Sequence, residues 1–245
     1  MTETWVEGIK GAIYIAEKDV KIYFFKGPNL TFGLFLPVVL YLAFSVGRTV
    51  ELALALPSLV ALAAFFGAGA IQAVSLPLER RTGTFNMLIT APISLFAIIL
   101  GKTLAGFFFG AVLSIAYTAI MVLFSPLPNL LLFFLAVLFS SLMFSAFGLF
   151  LSAPFRDIPQ AMPPATVVRI AMVFLCGVFT PIENLSASLR VAAYLLPLTY
   201  SVDALRQTMV GSIDVQLFLI DLAVQLFYTI AFLVATIMIL KKTIE

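Results

Sequence analysis

Glu79, Arg80, Arg81, Thr82, Gly83, Thr84 and Asn86 crowd together in a chain that is otherwise nearly all apolar. They lie in the stretch LERRTGTFNMLITAPISLFAIILGK, which runs from Leu78 to Lys102. No nucleophile stands beside a base in this group, so the chemistry open to it is recognition. Phe85, Leu88 and Ile89 fall at i, i+3 and i+4 and share one helical face about a turn and a half long. Thr84 is placed to cap such a helix through its side-chain oxygen, and Pro92 to stop it. A loop that only joins two spans needs a few polar residues. An apolar ridge inside a charged collar is what docking into a protein groove requires. The other reading lays the ridge on the lipid interface.

Magnitude favours docking as a way to transmit work. Burying three large apolar side chains gives roughly 1.5–3 kcal/mol each. Moving a two-state protein from 1:99 to 99:1 takes about 5.5 kcal/mol of differential binding. The ridge can pass on such a bias but cannot create one, because the chain has no G-x-x-x-x-G-K-[ST] phosphate loop. Composition removes other chemistries. His is absent, and with it the commonest general base and metal ligand. Cys176 is single and sits in an apolar run, so no intramolecular disulfide is expected. We expect no catalytic residue, no metal site and no resident cofactor in this chain.

The elements that hold this stretch are membrane spans. Hydrophobic residues make up 62% of the 245 residues and charged ones 11%, with a mean hydropathy of +1.15. Soluble domains carry about 45–50% apolar and roughly 25% charged residues. Lipid must therefore solvate much of the chain. The short alternating segments of a membrane β-barrel do not occur. The fold class expected is an all-α integral membrane protein, with residues 1–245 as a single transmembrane domain. Six apolar runs match the roughly 17–25 residues that cross a bilayer: Leu30–Val46, Pro57–Leu78, Lys102–Phe124, Leu130–Ser152, Ala161–Thr180 and Leu217–Leu240. The second is dense in Ala and Gly, and the third has Gly106 and Gly110 four apart. Such residues let helix backbones approach, either within the subunit or between subunits.

Before the spans, residues 1–29 hold an amphipathic helix over 9–26. Ile9, Ile13, Ala16, Val20, Tyr23 and Phe24 form one side, opposite Lys10, Glu17, Lys18 and Lys21. That pattern suits a helix lying in the interface with its cations among headgroups, or one packed on protein. Its first residues lack the basic and apolar regions of a cleaved signal peptide. Ten cations (Lys10, Lys18, Lys21, Lys26, Arg80, Arg81, Lys102, Arg156, Lys241, Lys242) fall on the side of the two termini, against Arg48, Arg190 and Arg206 on the other. The positive-inside rule then sets both termini and the polar segment at residues 79–96 in the cytoplasm of a multi-pass plasma-membrane protein.

Four further groups are polar where the surroundings are not. Arg169 lies roughly 12 Å into the fifth span at 1.5 Å per residue, where an Arg costs about 2.5–3.5 kcal/mol. It either serves a translocation path or snorkels to the inner headgroups and Asp157. Asp221 and Gln225 share a side of the sixth span. Residues 181–216 read as two short helices broken at Leu196–Pro197, dipping back into the outer leaflet and carrying Pro197, Tyr200, Asp203 and Arg206, the last two as a local pair. A break at that depth survives only where protein or water covers it.

The chain resembles the permease subunit of type-2 ABC transporters, most closely the drug- and antibiotic-resistance and polysaccharide exporters. The resemblance rests on ERRTGT at 79–84 with Ala91-Pro92 and Gly101-Lys102, on FLCGVFTPIENL at 174–185, and on LLPLTYSVDALRQTMVG at 195–211. Asn86 stands where the family often has an acidic residue, and Cys176 where it often has Ser. The resemblance implies that Glu79, Arg80, Arg81, Gly83, Thr84, Phe85, Leu88 and Ile89 couple the chain to a separate cytoplasmic ABC ATPase, present in two copies and holding ATP and Mg. It also implies a second permease subunit, identical or not, and an export path between the two. No nucleic acid enters this reading. The competing functions are an ion-coupled secondary transporter, which needs ionisable groups near the bilayer midplane where only Arg169 qualifies, and a non-transporting membrane assembly subunit.

Overall fold

The computed structural model describes residues 5–23, 30–46, 52–123, 128–209 and 213–244, and these are helical without a strand. The elements are α1 (Trp5–Tyr23), a π-helical turn (Thr31–Phe35) running into α2 (Leu36–Ser45), α3 (Leu52–Thr82), α4 (Thr84–Thr90), α5 (Leu95–Val122), α6 (Leu130–Ser152), α7 (Ile158–Leu175), a 3-10 turn (Ile182–Asn184), α8 (Ala187–Tyr194), α9 (Pro197–Gln207) and α10 (Val215–Ile244). The expectations for Phe24, Lys26, Arg48 and the turn at Pro126 lie outside the described residues.

Among the described residues, five helices (α3, α5, α6, α7 and α10) are long and apolar enough to cross a membrane. The run at Leu30–Val46 forms a shorter unit. Its backbone loosens into the π turn, and Pro37 brings no N–H to bond the Gly33 carbonyl. The turn is held from α5, where the Tyr117 hydroxyl donates to the Leu34 carbonyl.

Span boundaries shift for local reasons. α3 passes through Pro57 and Pro77 and ends at Thr82 rather than Leu78. α5 starts at Leu95 because Ser94 caps it, its hydroxyl accepting from the Ala97 N–H at 3.2 Å. Lys102 therefore sits inside the helix and not at its head. α7 stops at Leu175, short of the expected Thr180, because Gly177 turns left-handed at φ 79°.

α3 is the axis of the bundle. It is buried along 88% of its apolar stretch, against 22% for α10, so its neighbours wrap around it. Small residues allow this: Ala61, Ala63, Ala64 and Ala68 are fully buried. A Cβ at Gly110 would lie 2.6 Å from the Ala68 Cβ, and one at Gly67 only 3.4 Å from the Gly110 Cα. The Gly and Ala stripe thus packs within the subunit. Phe65 meets Phe144 edge to face at 4.8 Å between centroids, a geometry that adds about 0.5–1.5 kcal/mol beyond burial.

α1 packs on α5, on a face other than the one expected. Ala12, Ile15, Ala16, Asp19 and Tyr23 are buried, whereas Ile9, Ile13, Tyr14 and Ile22 are exposed. The inward stripe is chosen by close approach: a Cβ at Gly101 would stand 2.5 Å from the Ala12 carbonyl oxygen. Gly101→Ala is expected to push α1 off the bundle at a cost of about 1–3 kcal/mol. Faster limited proteolysis between α1 and the π turn would report it.

Candidate functional site

At the end of the bundle that carries most of the Lys and Arg, three elements bring four charges together, three of them buried. Asp19 of α1, Glu79 of α3 and Lys102 of α5 are 0%, 3% and 1% exposed. The Lys102 ammonium lies 3.0 Å from Asp19 and 2.7 Å from Glu79. Lys18, partly exposed, closes the ring at 2.9 Å from Asp19 and 2.5 Å from Glu79. Two cations face two anions, so the cluster is neutral. Burial pulls the Lys18 ammonium down, but Asp19 and Glu79 outweigh it and leave it raised. Burial, then the charges of Glu79 and Asp19, push the neighbouring Tyr23 phenol up to about 12. Gln72 on α3, about two turns before Glu79, donates to the Lys102 carbonyl, tying α5 to α3 next to the charges.

Glu79, expected in an exposed collar, therefore points into the bundle. Arg80 turns the other way and donates to the Ala153 and Phe155 carbonyls at 2.6 and 3.0 Å, closing the end of α6. Arg81 is exposed and reaches Asp157 at 3.4 Å. Asp157 also caps α7, accepting from the Ile158 N–H at 2.7 Å. Gly83 sits left-handed at φ 78° with open space where a Cβ would go. Backbone conformation and not room favours glycine there, and the sharp turn sets α4 across the end of α3.

α4 spans Thr84–Thr90, as Pro92 predicts, but two expectations for it change. Thr84 is not its cap. Gly83 holds that position, and the Thr84 hydroxyl donates back to the Glu79 carbonyl at 3.3 Å. The ridge of Phe85, Leu88 and Ile89 faces the bundle and not outward. Phe85 is 3% exposed and packs with Ile15, Leu76, Ile98, Ile99, Leu149 and Leu240, with Leu88 and Ile89 partly buried against the same cluster. The physical reason is that an uncovered apolar cluster at the helix ends lies directly under α4. What α4 presents outward is Thr84, Asn86, Met87 and Thr90, with Met87 72% exposed.

The remaining candidates separate into structural ties. Arg169 is buried between α7 and α3, donating to the Gly69 carbonyl at 3.0 Å, and a Cβ on Gly69 would lie 2.8 Å from its guanidinium. It reaches neither Asp157 nor the helix end. Asp203 and Arg206 form no ion pair. Arg206 instead donates to Ser58 at 3.0 Å and the Gly177 carbonyl at 2.6 Å, pinning α9 to α3. Burial pushes the Asp203 carboxyl up to about 6, against the pull of Arg206 and with Glu183 adding to the rise. Asp221 accepts from Gln207 at 2.6 Å. Gln225 accepts from Ser140 at 3.1 Å and donates to the Tyr200 carbonyl at 3.1 Å. Both therefore join α10 to its neighbours.

The break between α8 and α9 falls at Leu195–Leu196, with Pro197 opening α9. Its loose carbonyls are satisfied by side chains: Thr199 donates to Ala193 at 2.6 Å, Tyr200 to Tyr194 at 2.7 Å and Tyr228 to Leu195 at 2.9 Å. That is how irregular backbone survives away from water. Arg206→Met is expected to release this segment, raising protease cleavage at the α8–α9 break several-fold while α1 stays protected.

The apolar helices describe a multi-pass membrane protein, with the buried charge ring and the short α4 at one end of the bundle. Residues 20–210 match the family model described as ABC-2 type transporter, and the chain belongs to that family. Over 156 residues it is 27% identical to the "Probable multidrug ABC transporter permease YbhR" of Escherichia coli strain K12. The same holds for the protein of that name in Escherichia coli O157:H7. Each match covers 62% of this chain and 42% of the relative, so the similarity reaches under half of the relatives' length.

Proposed function

We propose that the chain is the membrane-spanning subunit of an ATP-driven exporter, coupled through α4 to a separate cytoplasmic ATPase. The π turn with α2 serves as the first of six spans, α1 lies along the inner interface, and both termini face the cytoplasm of the plasma membrane. Two permease subunits flank the path, and two ATPase copies bind ATP and Mg. The chain itself does no covalent chemistry. The observation that carries this reading is the two-sidedness of α4. Phe85, Leu88 and Ile89 fasten it inward, while Met87 stands exposed among Asn86, Thr84 and Thr90. A lone exposed Met in a polar rim is an anchor suited to a partner's pocket.

Force on α4 has a rigid route. Gly83 joins it to the end of α3, where Glu79 is locked to α1 and α5 by the charge ring. A partner that moves α4 on nucleotide binding therefore moves three helices as one body. The multidrug cargo in the relatives' name is the first substrate class to try. Co-purification tests the proposal: the tagged chain should bring down a soluble ATPase whose hydrolysis rises with cargo in proteoliposomes. Flux by the purified chain alone, driven by a proton gradient, would overturn it.

A further inference from the structure

A cavity of about 420 Å³ opens beside α4, lined by Arg80, Phe85, Asn86, Ile89, Thr90 and Arg156 and reaching Thr243 of α10. That volume lies within the roughly 300–1,000 Å³ of small-molecule sites. Its chemistry is one-sided. Arg80 spends one guanidinium nitrogen on the Ala153 and Phe155 carbonyls, leaving its other N–H groups without a hydrogen-bond partner among the described residues. Among the described residues Arg156 makes no hydrogen bond or ion pair, and the Asn86 carboxamide is likewise unused. The carboxylates closest in sequence are occupied: Glu79 in the charge ring and Asp157 on Arg81 and the α7 N-terminus. Among the described residues, two guanidiniums thus share one cavity with no anion between them, an arrangement that repels itself until an anion enters. The opposite wall is apolar, formed by Phe85 and Ile89.

We propose that this cavity binds the phosphate of an anionic phospholipid headgroup, with Arg80 and Arg156 clamping the phosphate oxygens and Asn86 donating to the glycerol side. Planar guanidiniums match phosphate in two-point contacts, and basic pockets between helix ends on the cytoplasmic side suit such headgroups. The exposed Lys241 and Lys242 at the end of α10 add a field that draws anionic lipid towards the opening. A bound headgroup would bridge α4, the α6–α7 connection and α10, so the lipid would brace the coupling helix against the bundle. The choice of a lipid over a soluble phosphate rests on the inward orientation proposed above. The binding chemistry does not depend on that orientation, so a failure in detergent would leave the ATPase docking reading untouched.

The test uses the full chain in a neutral detergent, with binding read by native mass spectrometry and by thermal shift. The probes are dioleoylphosphatidylglycerol, dioleoylphosphatidylcholine, glycerol 1-phosphate and inorganic phosphate. Phosphatidylglycerol should bind at least about tenfold tighter than phosphatidylcholine. Arg156→Gln should remove most of that preference without lowering the lipid-free melting temperature, and Arg156→Lys should keep part of it. Arg80→Gln should also weaken binding, although it loosens the α6 end as well. Three results would overturn the proposal: equal binding of the two lipids, glycerol 1-phosphate or inorganic phosphate binding as tightly as the lipid, or a Lys241→Gln/Lys242→Gln variant losing as much as Arg156→Gln. Loss of ATPase co-purification in Arg156→Gln with lipid preference intact would assign the cavity to a partner carboxylate instead, and would also overturn it.

Discussion

Lys102→Met is expected to destabilise the protein by about 3–5 kcal/mol, the usual effect of removing one partner from a buried ion pair. The charge count explains why. With Lys102 gone, Asp19 and Glu79 remain buried with only Lys18 to serve both, and one net negative charge is stranded. The informative variant is the pair Lys102→Met with Asp19→Leu. It restores neutrality, leaves Lys18 on Glu79, and should regain most of the lost melting temperature, because buried ion pairs exchange for apolar groups at little net cost. A purely steric role for Lys102 predicts that the second substitution adds damage instead. Thermal unfolding of the three proteins in one detergent separates these outcomes. The double variant should fold yet couple poorly, since α5 no longer holds the Glu79 end of the charge ring.

Phe85→Ala and Met87→Asp should fail in opposite ways. Phe85 is buried in the cluster under α4, so truncating it should cost about 3–5 kcal/mol of stability. The ATPase would be lost only to the extent that α4 comes loose. Met87 is exposed, so Met87→Asp should leave the melting temperature nearly unchanged. It should nonetheless abolish co-purification of the ATPase, as removal of a central anchor residue does. Unfolding in detergent and pull-down from the same preparations give both readouts.

The contrast also shows what the sequence could and could not disclose. The spacing of Phe85, Leu88 and Ile89 correctly marks an apolar helical face, and Pro92 its end. Spacing cannot tell whether such a face meets the chain's own bundle or a partner. The answer depends on Ile15, Leu76, Ile98, Leu149 and Leu240, which come from five other helices. Lys102 was harder still. A cation at the head of an apolar run reads as a marker of the membrane boundary, and its partner Asp19 is 83 residues away. One signal was available. Ala12, Ile15, Ala16, Asp19 and Tyr23 follow helical spacing, so a carboxylate sits in the middle of the stripe that α1 buries. A buried carboxylate needs a cation, and Lys102 was a candidate. The close-packed Gly and Ala stripe and the break before Pro197 were legible because both follow from local backbone rules. The run at Leu30–Val46 was legible as an apolar helical segment, but hydropathy does not register the bond that Pro37 cannot make, so its π turn was not.

The most direct test is accessibility at position 87. In a Cys176→Ala background, which removes the buried native thiol, Met87→Cys should react with a membrane-impermeant maleimide in inside-out vesicles but not in intact cells. Adding the ATPase should suppress that reaction. Labelling from the outside of intact cells, or equal labelling with and without bound ATPase, would contradict the account.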